Sequence, residues 1–431
     1  MRTLLLTPLL LLLGACQPQQ QTAAAPPKLE DQGFYQQHLA VSPYLPANLD
    51  DAYIACPLTE RHTSAHYKTA AQVNYAQTGW ETRVAADWQF FGESTENGRL
   101  LVIDFNQSQD GLSYRYLANG HSQDQLYEPW SSSKVMAITA AISRARLGGI
   151  GAESLAGAYP IADLITSIHT YEPFGKADGN SNAIASYLVN VSSRDYITSL
   201  FQDKWLKLAN PNVRLRGAYA SEVFDPEVDY WQARDNQRQA VMQRINDNQQ
   251  DPGYQTYRCE QCGLTGNKPM TTLAQAEWLK RLASHQQEPL TRHPGFREED
   301  IQTLFYGLGH SDARFQYGGM LMGISTLVGD AIAKQLSPGA DAKEALDKAT
   351  HGQWRIFQKI GWGPSGTRGQ SEVVMLAHVC LPSYQGGRAF TLAAQAGVPG
   401  DQDWQVNDAA LKLQHLLNMG MAKLLAQPDT P

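Results

Sequence analysis

Ser131-Ser132-Ser133-Lys134 sets a hydroxyl and an amine three residues apart. On a helix, positions i and i+3 share a face, so the amine can reach the hydroxyl. A helix N-terminus favours the negative charge that develops on an attacking oxygen. A lysine shielded from water there loses pKa and can accept the serine proton. No other Ser-x-x-Lys occurs in the chain. Taken alone, the segment also fits a helix capped by Ser131 beside a solvated Lys134.

Two later segments add chemistry in a fixed order. Asn180-Ser181-Asn182 opens an apolar run, Ala183-Ile184-Ala185, and by itself reads as a turn with a helix cap. Lys359-Ile360-Gly361-Trp362-Gly363-Pro364-Ser365-Gly366-Thr367-Arg368-Gly369 is glycine-rich and cationic. Lys359 would end a strand beside a cleft and raise the positive field there. Gly361 would let a substrate backbone lie against the strand edge. Thr367 and Arg368 would come from the next strand, where an arginine can clamp a carboxylate.

Together the three segments resemble those of the class A serine β-lactamases and the related penicillin-binding proteins. Lys359, Gly361, Gly363, Gly366, Thr367, Arg368 and Gly369 agree with the family's third motif. The resemblance implies a serine hydrolase in which Ser131 is the nucleophile and Lys134 the base. Asn182 and Lys359 would complete the catalytic set, and Asn180, Gly361, Thr367 and Arg368 would bind substrate. The family's substrates, a β-lactam or a peptidoglycan-type peptide, would then be the small-molecule partners, with no metal and no organic cofactor. Two positions depart from the pattern. Asn180 stands where the family carries a Ser or Tyr that relays protons, and Ile360 replaces a hydroxyl-bearing residue. Both favour the competing reading, a binding lipoprotein that keeps the fold with little turnover. The family's deacylating Glu precedes a Thr- and Pro-containing turn. Lys268-Pro269-Met270-Thr271-Thr272 resembles that turn, which makes Glu260 the candidate for the role.

These residues need elements to hold them. Leu100–Phe105 and Leu112–Leu117 read as a hairpin around Gln109-Asp110-Gly111. A helix follows from Ser131 to about Leu147, ended by Gly148-Gly149. Residues 150–350 read as largely helical, with a polar insertion at about 205–266. Strands are expected at Trp354–Lys359, Glu372–Leu381 and Arg388–Gln395, and a closing helix at about Val406–Ala426. The pattern predicts an α+β fold of the β-lactamase/transpeptidase type. Its antiparallel five-stranded sheet would come from both chain ends, with covering helices and an all-helical lobe. Domain limits are 33–84 for an N-terminal extension and 85–428 for the hydrolase-like domain.

The composition, 42% hydrophobic and 18% charged, supports a sizeable core. The net charge of -7 and the lack of a basic block argue against nucleic acid. Residues 1–15 read as a signal peptide ending in Leu13-Gly14-Ala15-Cys16, which resembles a bacterial lipobox with Cys16 as the lipidated residue. Gln17 then points to the periplasmic face of the outer membrane, and residues 16–32 to a disordered tether. The lipid would be the membrane partner. Four cysteines remain, an even number suited to disulfides in the periplasm. Cys259 and Cys262 could form a redox pair, half a zinc site or a local bridge, of which the bridge is favoured. That leaves Cys56 to pair with Cys380. His62 and His66, at i, i+4, read as surface histidines. Met320 and Met322 read as gap-fillers of a core.

Overall fold

The computed structural model describes residues 33–60, 65–255, 267–311 and 317–426. Two apolar segments from opposite chain ends meet in one sheet. The early pair is β3 (Arg99–Ser108) and β4 (Gly111–Ala118), after two short strands, β1 (Lys68–Thr69) and β2 (Ala86–Asp87). The late set is β5 (Arg355–Ser365), β6 (Gln370–Leu381) and β7 (Arg388–Pro399). The path runs β1-β4-β3-β7-β6-β5, with β2 beside β4. The five long strands are antiparallel neighbours, and β7 joins the late set to β3 through the Leu392–Val102 register. The fold is α+β.

Burial of long runs on both sheet faces explains the near-continuous apolar sequence of β6 and β7. One face packs under α8 (Gln405–Ala426) and α6 (Leu327–Leu336), where Leu392, Met375, Ile360, Leu413 and Leu417 form one core. The other face packs on α4 (Thr272–Ala283), and its core continues into the helical lobe. That lobe holds α1 (Lys134–Leu147), α2 (Ile161–Thr170), α3 (Ser181–Ser192) and α5 (Glu298–Tyr306).

The strands run longer than the sequence pattern suggests. β5 extends to Ser365, so Lys359 lies mid-strand rather than at its end. The glycines did not break it because the register with β6 continues through Gly361–Val374 and Gly363–Glu372. Thr367 and Arg368 therefore fall in the turn between β5 and β6, not on the following strand.

Residues 33–60 and 65–84 are woven into the domain. Trp80 is fully buried in the core, β1 extends the sheet beyond β4, and Cys56 is disulfide-bonded to Cys380 of β6. Residues 205–255 likewise contribute Leu206, Val213, Leu215 and Trp231 to the lobe core. Short strands Tyr230–Gln232 and Gln239–Val241 continue a small sheet begun by Leu155–Ala156 and Tyr159–Pro160. This segment's polar residues decorate a buried apolar minority. Met320 is buried in the core, as a gap-filling methionine should be. Cys16, Cys259, Glu260, Cys262 and His62 lie outside the described residues.

Candidate active site

Ser131 sits in a short 3-10 turn, Trp130–Ser133, that leads directly into α1. Ser133, not Ser131, stands at the N-cap of α1, and Lys134 is fully buried, so the plain cap by Ser131 with a solvated lysine is not what forms. The preceding Trp130 has φ +50°, an unfavourable backbone for a bulky residue. Two glycines of β5 accommodate this tight turn. A methyl on Gly361 would come within 2.8 Å of the Ser132 amide nitrogen, and one on Gly363 within 2.5 Å of the Trp130 ring. Gly361 thus admits the nucleophile turn itself, in place of the substrate backbone expected from the sequence.

Lys134 Nζ donates to Ser181 Oγ at 2.9 Å and to Asn182 Oδ1 at 2.6 Å. Ser181 Oγ in turn donates to the Ile168 carbonyl at 2.8 Å. Lys359 Nζ lies 3.2 Å from the Ile360 carbonyl oxygen. Both lysines are fully buried, and among the described residues neither forms an ion pair. Burial holds the Lys134 amine well below its usual pKa, with the Lys268 charge adding to the effect. Burial does the same to Lys359, and Lys134 adds to it. A buried amine without a counter-ion is a neutral base in waiting.

Tyr171, the residue that ends α2, stands between these groups. Its ring centroid is 3.9 Å from Lys359 Nζ and 5.0 Å from Lys134 Nζ. Its hydroxyl donates to the Ile360 carbonyl at 3.2 Å. Burial pushes the phenol above its ordinary value, and a hydrogen bond from Ser131 offsets part of the rise. The group is therefore a protonated phenol touching the nucleophile. A hydroxyl in this place was not legible in the sequence, since Tyr171 follows no motif and lies eleven positions before Asn182.

Asn180 does something else. It caps α3, its Oδ1 accepting from the Ala183 amide at 3.1 Å, and its Nδ2 donates to Glu222 at 3.2 Å. It does not line the cleft beside Ser131. Its side chain is spent on the helix cap and on Glu222. Ile360 also leaves the question of substrate contact. Neighbouring side chains on a strand point to opposite faces. With Lys359 on the cleft side, Ile360 buries in the core under α8.

The cleft has a volume of about 400 Å³ and is lined by Ser131, Asn182, Trp362, Thr367 and Arg368, among others. Sequence reasoning missed three further lining residues: Glu128, Lys268 and Tyr219. Lys268 pairs with Glu128 at 3.0 Å, both nearly buried. Tyr219 hydrogen-bonds Ser133 at 2.9 Å. Arg368 is not a free clamp. It pairs with Glu372, and its guanidinium lies 5.0 Å from the Trp130 ring centre. Trp130 Nε1 donates to the same Glu372 at 3.1 Å. The Arg368 Nε is buried with no hydrogen-bond partner among the described residues. Thr367 is exposed, its hydroxyl 3.2 Å from that of Ser365.

The chain is similar in structure to several solved proteins. One is a class A β-lactamase from Bacteroides cellulosilyticus, at 10% identity and a TM-score of 0.40, covering 77% of this chain and 95% of that one. Another is a β-lactamase from Burkholderia vietnamiensis, at 12% identity and a TM-score of 0.40, covering 86% and 100%. A third is the C-terminal domain of the Bacillus licheniformis BlaR penicillin receptor, at 11% identity and a TM-score of 0.36, covering 78% and 97%. No family model and no curated protein matches the chain. At these scores the likenesses carry no argument about chemistry, which rests on the residues themselves.

Proposed function

We propose that the chain is an acyl-serine hydrolase acting on an amide or β-lactam. The observation that carries this reading is that Ser131 and Asn182 line one cleft, with Lys134 held by Asn182 and both buried lysines gathered around the Tyr171 ring beneath it. Ser131 Oγ attacks the carbonyl while its proton passes to the neutral Lys134 amine. The C–N bond breaks as the new ester forms. The departing nitrogen takes its proton from the Tyr171 phenol, which recovers one from the lysine pair. Water then cleaves the ester and frees Ser131.

Lys268 is paired with Glu128 and Arg368 with Glu372, while burial lowers the pKa of Lys134 and Lys359, so the cleft carries little fixed excess of charge. Asn182, whose Oδ1 holds Lys134, leaves its amide end towards the cleft for a carbonyl of the substrate. On this reading the protein works in the bacterial cell envelope, tethered through a lipid on Cys16.

The second reading, a binder with little turnover, has one specific support. Part of the Arg368 fork is already committed to Glu372. Intact-mass measurement with a β-lactam probe separates the two. A hydrolase forms an adduct that decays with product release and vanishes in Ser131→Ala. A binder forms no adduct with the β-lactam, with D-amino-acid peptides or with esters. That second outcome would overturn the proposal.

A further inference from the structure

Release of the acyl group from Ser131 needs a base of its own. Water must give up a proton as its oxygen reaches the ester carbonyl carbon. Lys134 and Lys359 are fully buried, and neither they nor Tyr171 line the cleft, so a water in the cleft does not meet them. Tyr219 does line it, but burial pushes its phenol above the ordinary value and keeps it protonated. Lys268 lines it as the partner of Glu128. Among the described lining residues one carboxylate remains, Glu128.

The chain holds this carboxylate firmly. Tyr127 and Met270 exchange two backbone hydrogen bonds, at 2.9 and 3.0 Å, which set the segments of Glu128 and Lys268 side by side. Lys268 Nζ meets Glu128 Oε1 at 3.0 Å and donates to the Ala218 carbonyl at 3.3 Å. The Lys268 amide donates to Glu128 Oε2 at 3.4 Å. In the other direction Glu128 runs straight into the nucleophile turn. The carbonyl of Pro129, the next residue, accepts from the Ser132 amide at 3.1 Å and from Ser132 Oγ at 2.6 Å. Glu128 and Ser131 are thus fixed in one short piece of chain. Each carboxylate oxygen can accept twice, so one contact from Lys268 on each leaves acceptor capacity on both. Glu372 offers less. It accepts from Arg368, Trp130 and Gln395, and it does not line the cleft.

We infer that Glu128 is the base for the hydrolytic water, a catalytic residue supplied by the same turn as the nucleophile. This rests on the acyl-serine reading. Glu128 takes a proton from the water as the water oxygen bonds to the ester carbonyl carbon. The bond from that carbon to Ser131 Oγ breaks, and Glu128 returns the proton to Oγ. Both residues end as they began, and the acid is released. Lys268 holds the carboxylate in place and exchanges no proton.

Intact mass of the full chain with a β-lactam probe follows the two halves of the cycle, appearance of the Ser131 adduct and its decay. In Glu128→Gln the adduct should still form, and its decay should slow about 100- to 10,000-fold. Unchanged decay overturns the inference. So does a loss of formation equal to the loss of decay, since a pair that only holds two segments together would act on both halves. Lys268→Met breaks the same pair yet keeps the carboxylate, so its adduct should decay at least about tenfold faster than that of Glu128→Gln. Equal slowing in the two variants marks the pair as structural and overturns the inference. If Glu128→Gln does not fold because Lys268 is left buried without a counter-ion, the double variant with Lys268→Met removes both charges. It should hold its adduct too, and rapid decay there overturns the inference, as does an adduct that persists in Glu260→Gln instead. A wild-type chain that forms no adduct sinks the hydrolase reading and Glu128 with it. A wild-type adduct that never decays keeps Ser131 as nucleophile and overturns Glu128 alone.

Discussion

A methyl group on the Cα of Gly361 would stand 2.3 Å from the amide nitrogen of Ser131. The edge strand β5 and the nucleophile turn thus touch backbone to backbone, with no room for a side chain. Gly361→Ala must push one away from the other. Displacements of this size cost about 100-fold in rate, and overpacking costs about 1–3 kcal/mol of stability. Adduct formation rate and the urea midpoint read the two effects. A variant that acylates like the wild type would mean that the two backbones part freely.

Lys134 and Lys359 should make the reaction depend on pH in a particular direction. The base must be neutral to take the serine proton, and burial lowers the pKa of Lys134. Acylation should rise with pH and level off well below the ordinary lysine range. Stability carries the same signature. Between the depressed folded value and the unfolded one, the unfolded chain binds more protons, so stability rises with pH across that window and falls as pH drops through it. Lys134→Met should flatten this dependence and abolish the adduct. Urea midpoints across neutral to alkaline pH test it, and an unchanged slope in the variant would refute the assignment.

Tyr171 and Asn180 should exchange the importance that sequence spacing assigned them. Tyr171→Phe keeps the ring against Lys359 and removes the proton donor. The acylation rate should drop about 100- to 10,000-fold, with non-covalent affinity for the probe little changed. Asn180→Ala removes a helix cap and should cost about 1 kcal/mol of stability, with the acylation rate nearly kept. Rates and affinities from one titration series compare the pair. The reverse ranking would restore Asn180 to the site.

The Cys56–Cys380 disulfide spans 324 residues and ties the extension to a central strand. Closing so long a loop restricts the unfolded chain strongly. Cys56→Ser should lose about 2–5 kcal/mol. Denaturation of the wild type with reductant should approach the variant's midpoint, and a midpoint insensitive to both would show that the sheet holds the extension without the bridge.

Local pattern carried a great deal. The Ser131–Lys134 spacing, the helix that follows, the early hairpin and the late strands are short-range properties of periodicity and turn chemistry. So is the glycine-rich run from Lys359, whose residue types announced a close approach to something. Sequence could not say what approached. Gly361 faces the Ser131 turn because the edge strand β5 packs against Trp130–Ser133, a relation between segments 230 residues apart.

The same limit explains the remaining differences. Asn180 sits at motif spacing yet spends its side chain on its own helix, where a cap is the nearest partner. Tyr171 has no motif spacing, and it reaches Ser131 only because the end of α2 packs against β5. Glu128, Lys268 and Arg368 carry ordinary charges in sequence, and their pairings with one another or with Glu372 arise only from folding. What the chain alone determined was which residue types could do chemistry and which elements would carry them. Tertiary packing decided which of those groups lost water, found partners and met in one cleft, because desolvation and long-range contact have no counterpart in local sequence.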